Sequence, residues 1–232
     1  MYAIIVAAAA VLLTLWPAGI GAQCDQCKGD FNGNGEVTID EIIVSVNNAL
    51  DGCPAPGPRF TDNGNGTITD TKTGLQWEQK DSKDLDEPAE PVVCPGGATC
   101  VNPHDADNRY TWSIGTAGNI PDGSAYTDFL TRLNSGNGFA GHTDWRLPTV
   151  PELQTLVDYQ RFDPAIAPIF NTACAPGCTV TTCGCTVRDA YWSVTPSADL
   201  PDNAWTVEFN RGVVTIFDIT LPLYVRAVRG GS

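Results

Sequence analysis

The sequence predicts an α+β fold preceded by a small separate module. Two stretches in the middle of the chain carry apolar residues at helical spacing, and the last part contains short runs of strand-forming residues separated by turns. Long proline-rich or cysteine-rich segments without periodicity lie between them and are typical of surface loops. Two helices beside a β-rich second half with such loops form an α+β pattern, for which we expect antiparallel strands.

The first 22 residues are interpreted as an export leader. Ala3–Trp16 is an almost unbroken apolar run followed by Pro17 and small residues, and it is too short to span a bilayer comfortably. All nine cysteines follow this leader, as expected for an oxidising compartment. We therefore predict a signal peptide over residues 1–22 and a secreted, cell-surface or periplasmic protein of the bacterial type, with no transmembrane segment after leader removal.

The formal net charge of −14 limits the partners. Asp and Glu are spread along the whole chain, and the 13 Lys and Arg residues do not cluster. This distribution argues against nucleic acid and against anionic membrane surfaces as ligands. It is compatible with Ca²⁺ and with neutral glycans.

Residues 23–53 form a predicted calcium module, because residues 30–41 fit the twelve-position loop of an EF-hand. A hard cation needs six or seven oxygens converging from a short loop, and Gly35 permits the sharp turn that this requires. The alternative is a glycine- and asparagine-rich turn that binds no metal. The predicted ligands are Asp30, Asn32, Asn34, the backbone carbonyl of Glu36, Thr38 and a bidentate Glu41.

The loop resembles one half of a dockerin repeat, the calcium-loop module that docks enzymes onto scaffold proteins. Dockerins carry two such loops, whereas one is found here, and Glu41 stands where they usually have Asp. The resemblance implies a protein partner bound through the module, and calcium as a local staple is the other role. A disulfide from Cys24 or Cys27 to Cys53 would close the module. The exiting helix is predicted from apolar residues at helical spacing: Ile42, Ile43, Val46, Ala49 and Leu50.

A proline- and glycine-rich linker, residues 54–58, separates this module from a larger domain over residues 59–232. The domain opens with a predicted hairpin over Phe60–Trp77, in which Asn-Gly pairs mark the turn. Gln79–Asn108 is acidic, proline-rich and without periodicity, so we expect a long surface excursion.

Two helices are predicted in the middle of this domain. The second belongs to Gly141–Leu153, where Trp145 begins a short strand and Thr149 with Glu152 forms a capping box at the helix start. The first, Ser124–Asn134, is predicted from apolar residues at helical spacing: Tyr126, Phe129, Leu130 and Leu133.

The cysteines of the larger domain fall into two groups. Cys94 and Cys100 are expected to staple the tip of the excursion, and the spacing of the second group suggests either disulfides or zinc. The expected compartment favours disulfides. The second group comprises Cys174, Cys178, Cys183 and Cys185. The predicted closing strands are Ala190–Thr195, Asn203–Asn210, Val213–Asp218 and Leu223–Arg229.

Several separated motifs of this domain resemble the Lcl-type C-terminal domain, a family of secreted bacterial domains named after a collagen-like adhesin. They are FTDNGNGTITDTKTGLQW, GFAGHTDWRLPTVPEL, AYWSVT, AWTVEF and YVRAVRGG, and they occur in order over Arg59–Gly231. The resemblance implies a C-type-lectin-like fold related to sulfatase-modifying enzymes, and adhesion to carbohydrate. Those enzymes use redox-active cysteines with copper, and Cys183-Gly184-Cys185 is the one motif that hints at such chemistry. Its place in a cysteine-rich loop favours structural disulfides.

No catalytic residues are predicted. His104 lies in the excursion, and His142 is interpreted as orienting a turn. Sugar sites often use aromatic rings, so Trp112, Trp192 and Trp205 are candidate ligand-binding residues, although core packing is the alternative for each.

We therefore expect a secreted, calcium-binding, non-catalytic adhesion or carbohydrate-binding protein with a glycan or cell-surface ligand. A scaffold or attachment protein that docks a partner through its calcium module is the alternative. The third hypothesis is an oxidase or a hydrolase.

Overall fold

The computed structural model describes residues 37–51, 57–82, 92–95, 99–115 and 120–230. The chain divides into two compact units between Gly57 and Pro58. Among the described residues, no helix has both the length and the apolar character needed to cross a bilayer.

The described part of the first unit is the helix α1, Ile39–Asp51, which is the helix predicted to leave the calcium loop. The Thr38 backbone N–H and hydroxyl both donate to Glu41 Oε2, at 2.8 and 3.0 Å, and satisfy groups at the helix start. The acidic residues Asp40 and Glu41 lie in the first turn, where the helix dipole favours negative charge. Four of the predicted metal ligands lie outside the described residues: Asp30, Asn32, Asn34 and Glu36.

The second unit contains a four-stranded antiparallel sheet in the order β1-β2-β3-β10. The predicted hairpin supplies its first three strands, and the last strand of the chain closes it. Asn63 N–H donates to the Thr67 carbonyl at 3.0 Å across the first turn. The strands are β1 Phe60–Asp62, β2 Thr67–Asp70, β3 Leu75–Glu78 and β10 Val228–Gly230.

A six-stranded sheet follows the order β4-β5-β9-β6-β7-β8. Most neighbours are antiparallel, as predicted, but the β4–β5 and β6–β9 pairs are parallel. The strands are β4 Val92–Val93, β5 Asn108–Tyr110, β6 Ala190–Pro196, β7 Asn203–Glu208, β8 Val213–Asp218 and β9 Leu223–Tyr224.

The prediction of one final strand over Leu223–Arg229 is wrong. The chain leaves the six-stranded sheet after Tyr224 and joins the four-stranded sheet at Val228. Between these strands the Arg226 guanidinium is buried and donates to the carbonyl of Glu78 at 2.8 Å, beside a backbone bond from the Glu78 N–H to the Ala227 carbonyl at 3.0 Å. The segment thus couples the two sheets.

Both predicted helices are present. The first begins with a π-helical stretch, Ala125–Leu130, and continues as the α-helix α2, Thr131–Asn134. The second, α3, covers Val150–Gln154 and begins with the predicted reciprocal capping box of Thr149 and Glu152. Two 3₁₀ turns, Thr99–Val101 and Pro168–Phe170, complete the helical elements of the described chain.

The core of this unit has two apolar clusters. Trp145 is buried in the first cluster, and its indole N–H donates to the Phe139 carbonyl at 3.0 Å. The adjacent turn needs Gly138, which has φ +69° and leaves no room for a Cβ beside the His142 carbonyl. Large members of the first cluster are Tyr110, Trp112, Phe129, Trp145 and Trp192, and those of the second are Trp77, Leu153, Phe170, Tyr191 and Phe209.

Candidate binding surface

A buried charge network begins at the end of β3. Glu78 has a fully buried side chain, and its carboxylate lies 3.1 Å from Lys80 Nζ and 2.8 Å from His104 Nδ1. Its second oxygen accepts from the Ala227 N–H at 2.9 Å. Burial alone would raise the pKa of Glu78, but the Lys80 charge and these hydrogen bonds outweigh it and hold the pKa below its usual value. The carboxylate is therefore ionised.

Arg226 connects this network to a cysteine-rich loop. Besides the Glu78 carbonyl, its guanidinium donates to the Cys185 carbonyl at 2.8 Å and to the Thr186 hydroxyl at 2.9 Å. Thr186 in turn donates to the Phe170 carbonyl at 2.7 Å. Because these bonds are buried, they are shielded from competing water and fix the start of the 185–188 segment.

The cysteines of the described chain form three disulfides. Cys94 pairs with Cys100, which confirms the staple predicted for the excursion. Cys174 pairs with Cys185, and Cys178 pairs with Cys183, so the second group consists of disulfides, as the compartment argument favours. Since Cys183 and Cys185 belong to different disulfides, they are not a dithiol pair of their own.

A cavity of about 490 Å³ opens beside the Cys174–Cys185 disulfide. Volumes of this size are typical of small-ligand pockets. The 185–188 segment forms one side of the cavity. The Val187 N–H of this segment donates to the buried Tyr191 hydroxyl at 2.9 Å. The lining residues are Ala106, Pro164, Cys174, Cys185, Thr186, Val187 and Arg188.

An exposed aromatic segment, residues 158–163, ends next to this cavity and is called the aromatic ledge. Tyr159 is 74 % exposed and Phe162 is 79 % exposed. The ledge leads into Pro164, which lines the cavity, and Asp163 binds the lining residue Arg188 at 2.7 Å. Two large aromatic side chains are thus exposed on the loop that borders a cavity.

Main-chain bonds hold the ledge in place. The Asp163 N–H donates to the Asn210 carbonyl at 2.9 Å, and the Arg161 N–H donates to the Asp158 carbonyl at 3.0 Å. The Tyr159 hydroxyl donates to the carbonyl of Gly212 at 3.2 Å. Gly212 has φ +70°, and a Cβ there would meet the Tyr159 ring at 3.0 Å. The exposed rings are therefore presented by an ordered loop.

The charges of the ledge are balanced within it and its rim. Asp158 faces Arg161 at 3.5 Å, and Asp163 faces Arg188 at 2.7 Å. The Arg161 and Arg188 side chains are 54 % and 68 % exposed, so these pairs are screened by solvent. Because the charges of this surface are paired, it attracts neither anions nor cations strongly. Its exposed aromatic rings are uncharged.

Two of the tryptophans predicted to bind a ligand are core residues. Trp112 and Trp192 are 1 % and 0 % exposed, and their indole N–H groups donate to the carbonyls of Ser193 and Tyr110 at 3.0 and 2.9 Å. Neither ring presents a face to solvent, in agreement with the packing alternative. Trp205 is half-buried on β7, so the structure does not bring the three tryptophans together as one surface.

The exposed aromatics of the ledge were not among the predicted site residues. Tyr159 and Phe162 alternate with charged residues in a segment without periodicity. The lack of periodicity in this segment could have indicated their exposure. Large apolar side chains in a loop without helical or strand spacing are often left on the surface. His104 also has a contact that no pattern indicated, since its ring packs 4.2 Å from Phe139 and bonds Glu78.

Comparison with known proteins gives one match. The family model described as the Lcl C-terminal domain matches residues 66–229, which confirms the resemblance drawn from the motifs. No curated protein matches the chain, and no solved structure matches it.

Proposed function

The chain belongs to the Lcl C-terminal domain family, and from that premise we propose that it is a secreted, non-catalytic protein that binds neutral carbohydrate at the aromatic ledge and the adjoining cavity. The observation that carries the proposal is the exposure of Tyr159 and Phe162 on a hydrogen-bonded loop beside the cavity. An exposed aromatic ring packs against the apolar C–H face of a sugar, and hydroxyl groups then bond to polar neighbours.

Neutral sugars fit the electrostatics better than charged ones. The cationic side chains beside the rings are paired with Asp158 and Asp163, and the chain as a whole has a formal charge of −14. An anionic polysaccharide would have to displace these carboxylates and approach a negative protein. The disulfides are consistent with an oxidising, extracellular setting.

A glycan array with the full mature chain tests this function. We expect retention of one or more neutral glycans, and loss of that retention in Phe162→Ala and Tyr159→Ala. Leu200→Ala is the matched control, because Leu200 is an exposed apolar residue in a different loop, at 49 % exposure. A blank array for the wild-type protein, or binding that survives both ledge substitutions, would contradict the proposal.

We also propose that the first unit binds Ca²⁺ through the six predicted ligands. Two of these, Thr38 and Glu41, lie in the described chain, and their side-chain oxygens are 3.0 Å apart. This short distance supports the proposal, because positions 9 and 12 of such a loop bind the same cation. A loop with few anionic ligands has a low affinity for calcium, which suits the higher calcium concentrations found outside cells.

Titration calorimetry of the full mature chain with CaCl₂ tests the calcium proposal. We expect heat of binding at roughly micromolar to millimolar Ca²⁺, and its loss in Asp30→Ala and Glu41→Gln. Asp40→Asn is the matched control, because Asp40 is acidic but occupies no ligand position. No binding heat in the wild-type chain would refute the proposal.

The alternative function, docking of a partner protein through this module, is supported by one observation. Ile39, Ile42, Ile43 and Val46 of α1 are about half or more exposed, at 75, 49, 52 and 50 %. An apolar helix face is a common recognition surface. A calcium-dependent partner whose binding is lost in Ile43→Ser, without loss of the calcium heat, would favour docking over carbohydrate binding.

A further inference from the structure

We propose that the paired disulfides beside the cavity form a thiol-exchange site, at which a small thiol adds to Cys174 and the second disulfide rearranges in response. This inference is independent of the proposed carbohydrate binding. It rests on the positions of the four sulfurs, their unequal burial, and the cavity that borders one of the two disulfides.

The two disulfides are in sulfur-to-sulfur contact. Cys185 Sγ lies 3.8 Å from Cys178 Sγ and 4.0 Å from Cys183 Sγ. Thiol–disulfide exchange requires a thiolate to reach one sulfur of a disulfide, and the rate depends on access to that sulfur. A thiolate formed at Cys185 would start in van der Waals contact with the second disulfide, beside its S–S bond, and would rotate into line with that bond before it attacks.

The burial of the cysteines gives the reaction a direction. Cys174 is exposed, whereas Cys185 and Cys183 are 1 % and 2 % exposed. A nucleophile from solvent therefore reaches the first disulfide at Cys174. The cavity is lined by both cysteines of that disulfide and has a volume suited to a thiol of tripeptide size.

The first step breaks the Cys174–Cys185 bond. The incoming thiolate forms a mixed disulfide with Cys174 Sγ, and the electron pair of the broken bond leaves with Cys185 as a thiolate. Arg226 donates to the Cys185 carbonyl at 2.8 Å, so the backbone of the leaving cysteine stays in place when the disulfide opens.

The second step is internal. The Cys185 thiolate attacks Cys178 Sγ, the nearer of the two sulfurs, forming a Cys178–Cys185 bond and releasing Cys183 as a thiolate. The sum is one external thiol consumed, one mixed disulfide at Cys174 and one free thiol at Cys183, with no net oxidation or reduction. Cys183 Sγ is already 3.3 Å from the Thr179 carbonyl, which can accept its S–H once it is protonated.

The test uses the full mature chain with reduced glutathione as the small thiol. Thiols already free in the protein are first alkylated, and the reaction is stopped by acid and a second, isotopically distinct alkylating agent. Peptide mapping by mass spectrometry then locates adducts, cystines and new thiols. We expect glutathione on Cys174, a Cys178–Cys185 cystine and the second label on Cys183.

The Cys94–Cys100 disulfide is an internal control, because both of its cysteines are buried, at 2 % and 3 % exposure. We expect Cys174 to react at least about tenfold faster than either of them, since access limits exchange. In the double variant Cys178→Ser with Cys183→Ser, Cys174 should still gain glutathione, and the free thiol should then remain on Cys185.

Two results would overturn the proposal. One is equal or faster modification of Cys94 or Cys100 than of Cys174. The other is a free thiol on Cys185 beside an intact Cys178–Cys183 cystine in the wild-type chain. Circular dichroism of each variant identifies any loss of fold, and the wild-type map decides the question without the variants.

Discussion

The Glu78 network and the aromatic ledge contain the same kinds of residues in opposite surroundings. Glu78 and Lys80 form an ion pair whose side chains are 0 % and 2 % exposed, and Lys80 Nζ lies 4.3 Å from the centre of the Phe129 ring. Asp163 and Arg188 form a shorter ion pair, 2.7 Å, with side chains 34 % and 68 % exposed. Distance alone would rank the ledge pair as the stronger one.

Solvent reverses that ranking. Removing one partner of a buried pair leaves an uncompensated charge in the interior, whereas water and salt replace a lost partner at the surface. The Glu78 network therefore holds β3, the excursion and the Cys185 loop together, through Lys80, His104 and Arg226. The ion pairs of the ledge contribute little to stability, and the aromatic rings beside them are exposed to solvent.

The largest expected effect is that of Glu78→Gln. The substitution keeps the shape but leaves Lys80 buried without its counter-charge, so we expect the free energy of unfolding to fall by about 3–5 kcal/mol. Urea denaturation followed by circular dichroism measures it. Asp163→Asn is the matched control and should cost at most about 1 kcal/mol. Equal losses in the two variants would contradict the expected difference between the buried and the exposed ion pair.

Acid should act on the same carboxylate. Because the pKa of Glu78 is held below its usual value in the folded state, its contribution to stability is complete above the unfolded pKa and is lost as pH falls through the folded pKa. We expect the free energy of unfolding to decline across that acidic range. Glu78→Gln should show a shallower decline, and identical pH profiles for the two proteins would count against this assignment.

Trp192→Phe removes one hydrogen bond of the core and keeps an aromatic ring. The Tyr110 carbonyl loses its 2.9 Å donor in a buried site, so we expect a loss of about 1–3 kcal/mol in the free energy of unfolding. Trp205→Phe, at a half-buried position, should cost less. Thermal or urea denaturation of both variants compares them directly, and a larger loss at Trp205 would reverse our assignment of core and surface.

The smallest stability effect is expected at the ledge. Phe162 is 79 % exposed, so Phe162→Ala should change the free energy of unfolding by no more than about 0.5 kcal/mol. The same variant is expected to lose glycan retention, which separates binding from folding. A loss comparable with that of Trp192→Phe would mean that Phe162 supports the fold.

Much of the second unit followed from local patterns in the sequence. The capping box of Thr149 and Glu152, the Asn-Gly hairpin turn and the apolar spacing of the first helix each depend on neighbours a few residues away. The Cys94–Cys100 pair is equally local, with a separation of 6 residues. Such features are encoded within one turn or one loop, so the sequence alone predicts them.

Other features depended on residues far apart in the chain. Arg226 binds Glu78 and Cys185 across 148 and 41 residues, which divides the predicted last strand between two sheets. Local sequence left a sugar site open for Trp112 and Trp192 beside the more common fate of core packing, and the tertiary packing buries both.

The sequence by itself determined the family, the α+β class and the helix starts, because periodicity, capping and turn residues act over short distances. Tertiary structure decided which aromatic rings and which ion pairs reach solvent, and how the last four cysteines pair. The physical reason is that burial and desolvation are properties of the assembled surface. The loop that carries the exposed Tyr159 and Phe162 is held in place by bonds to Asn210 and Gly212, far along the chain.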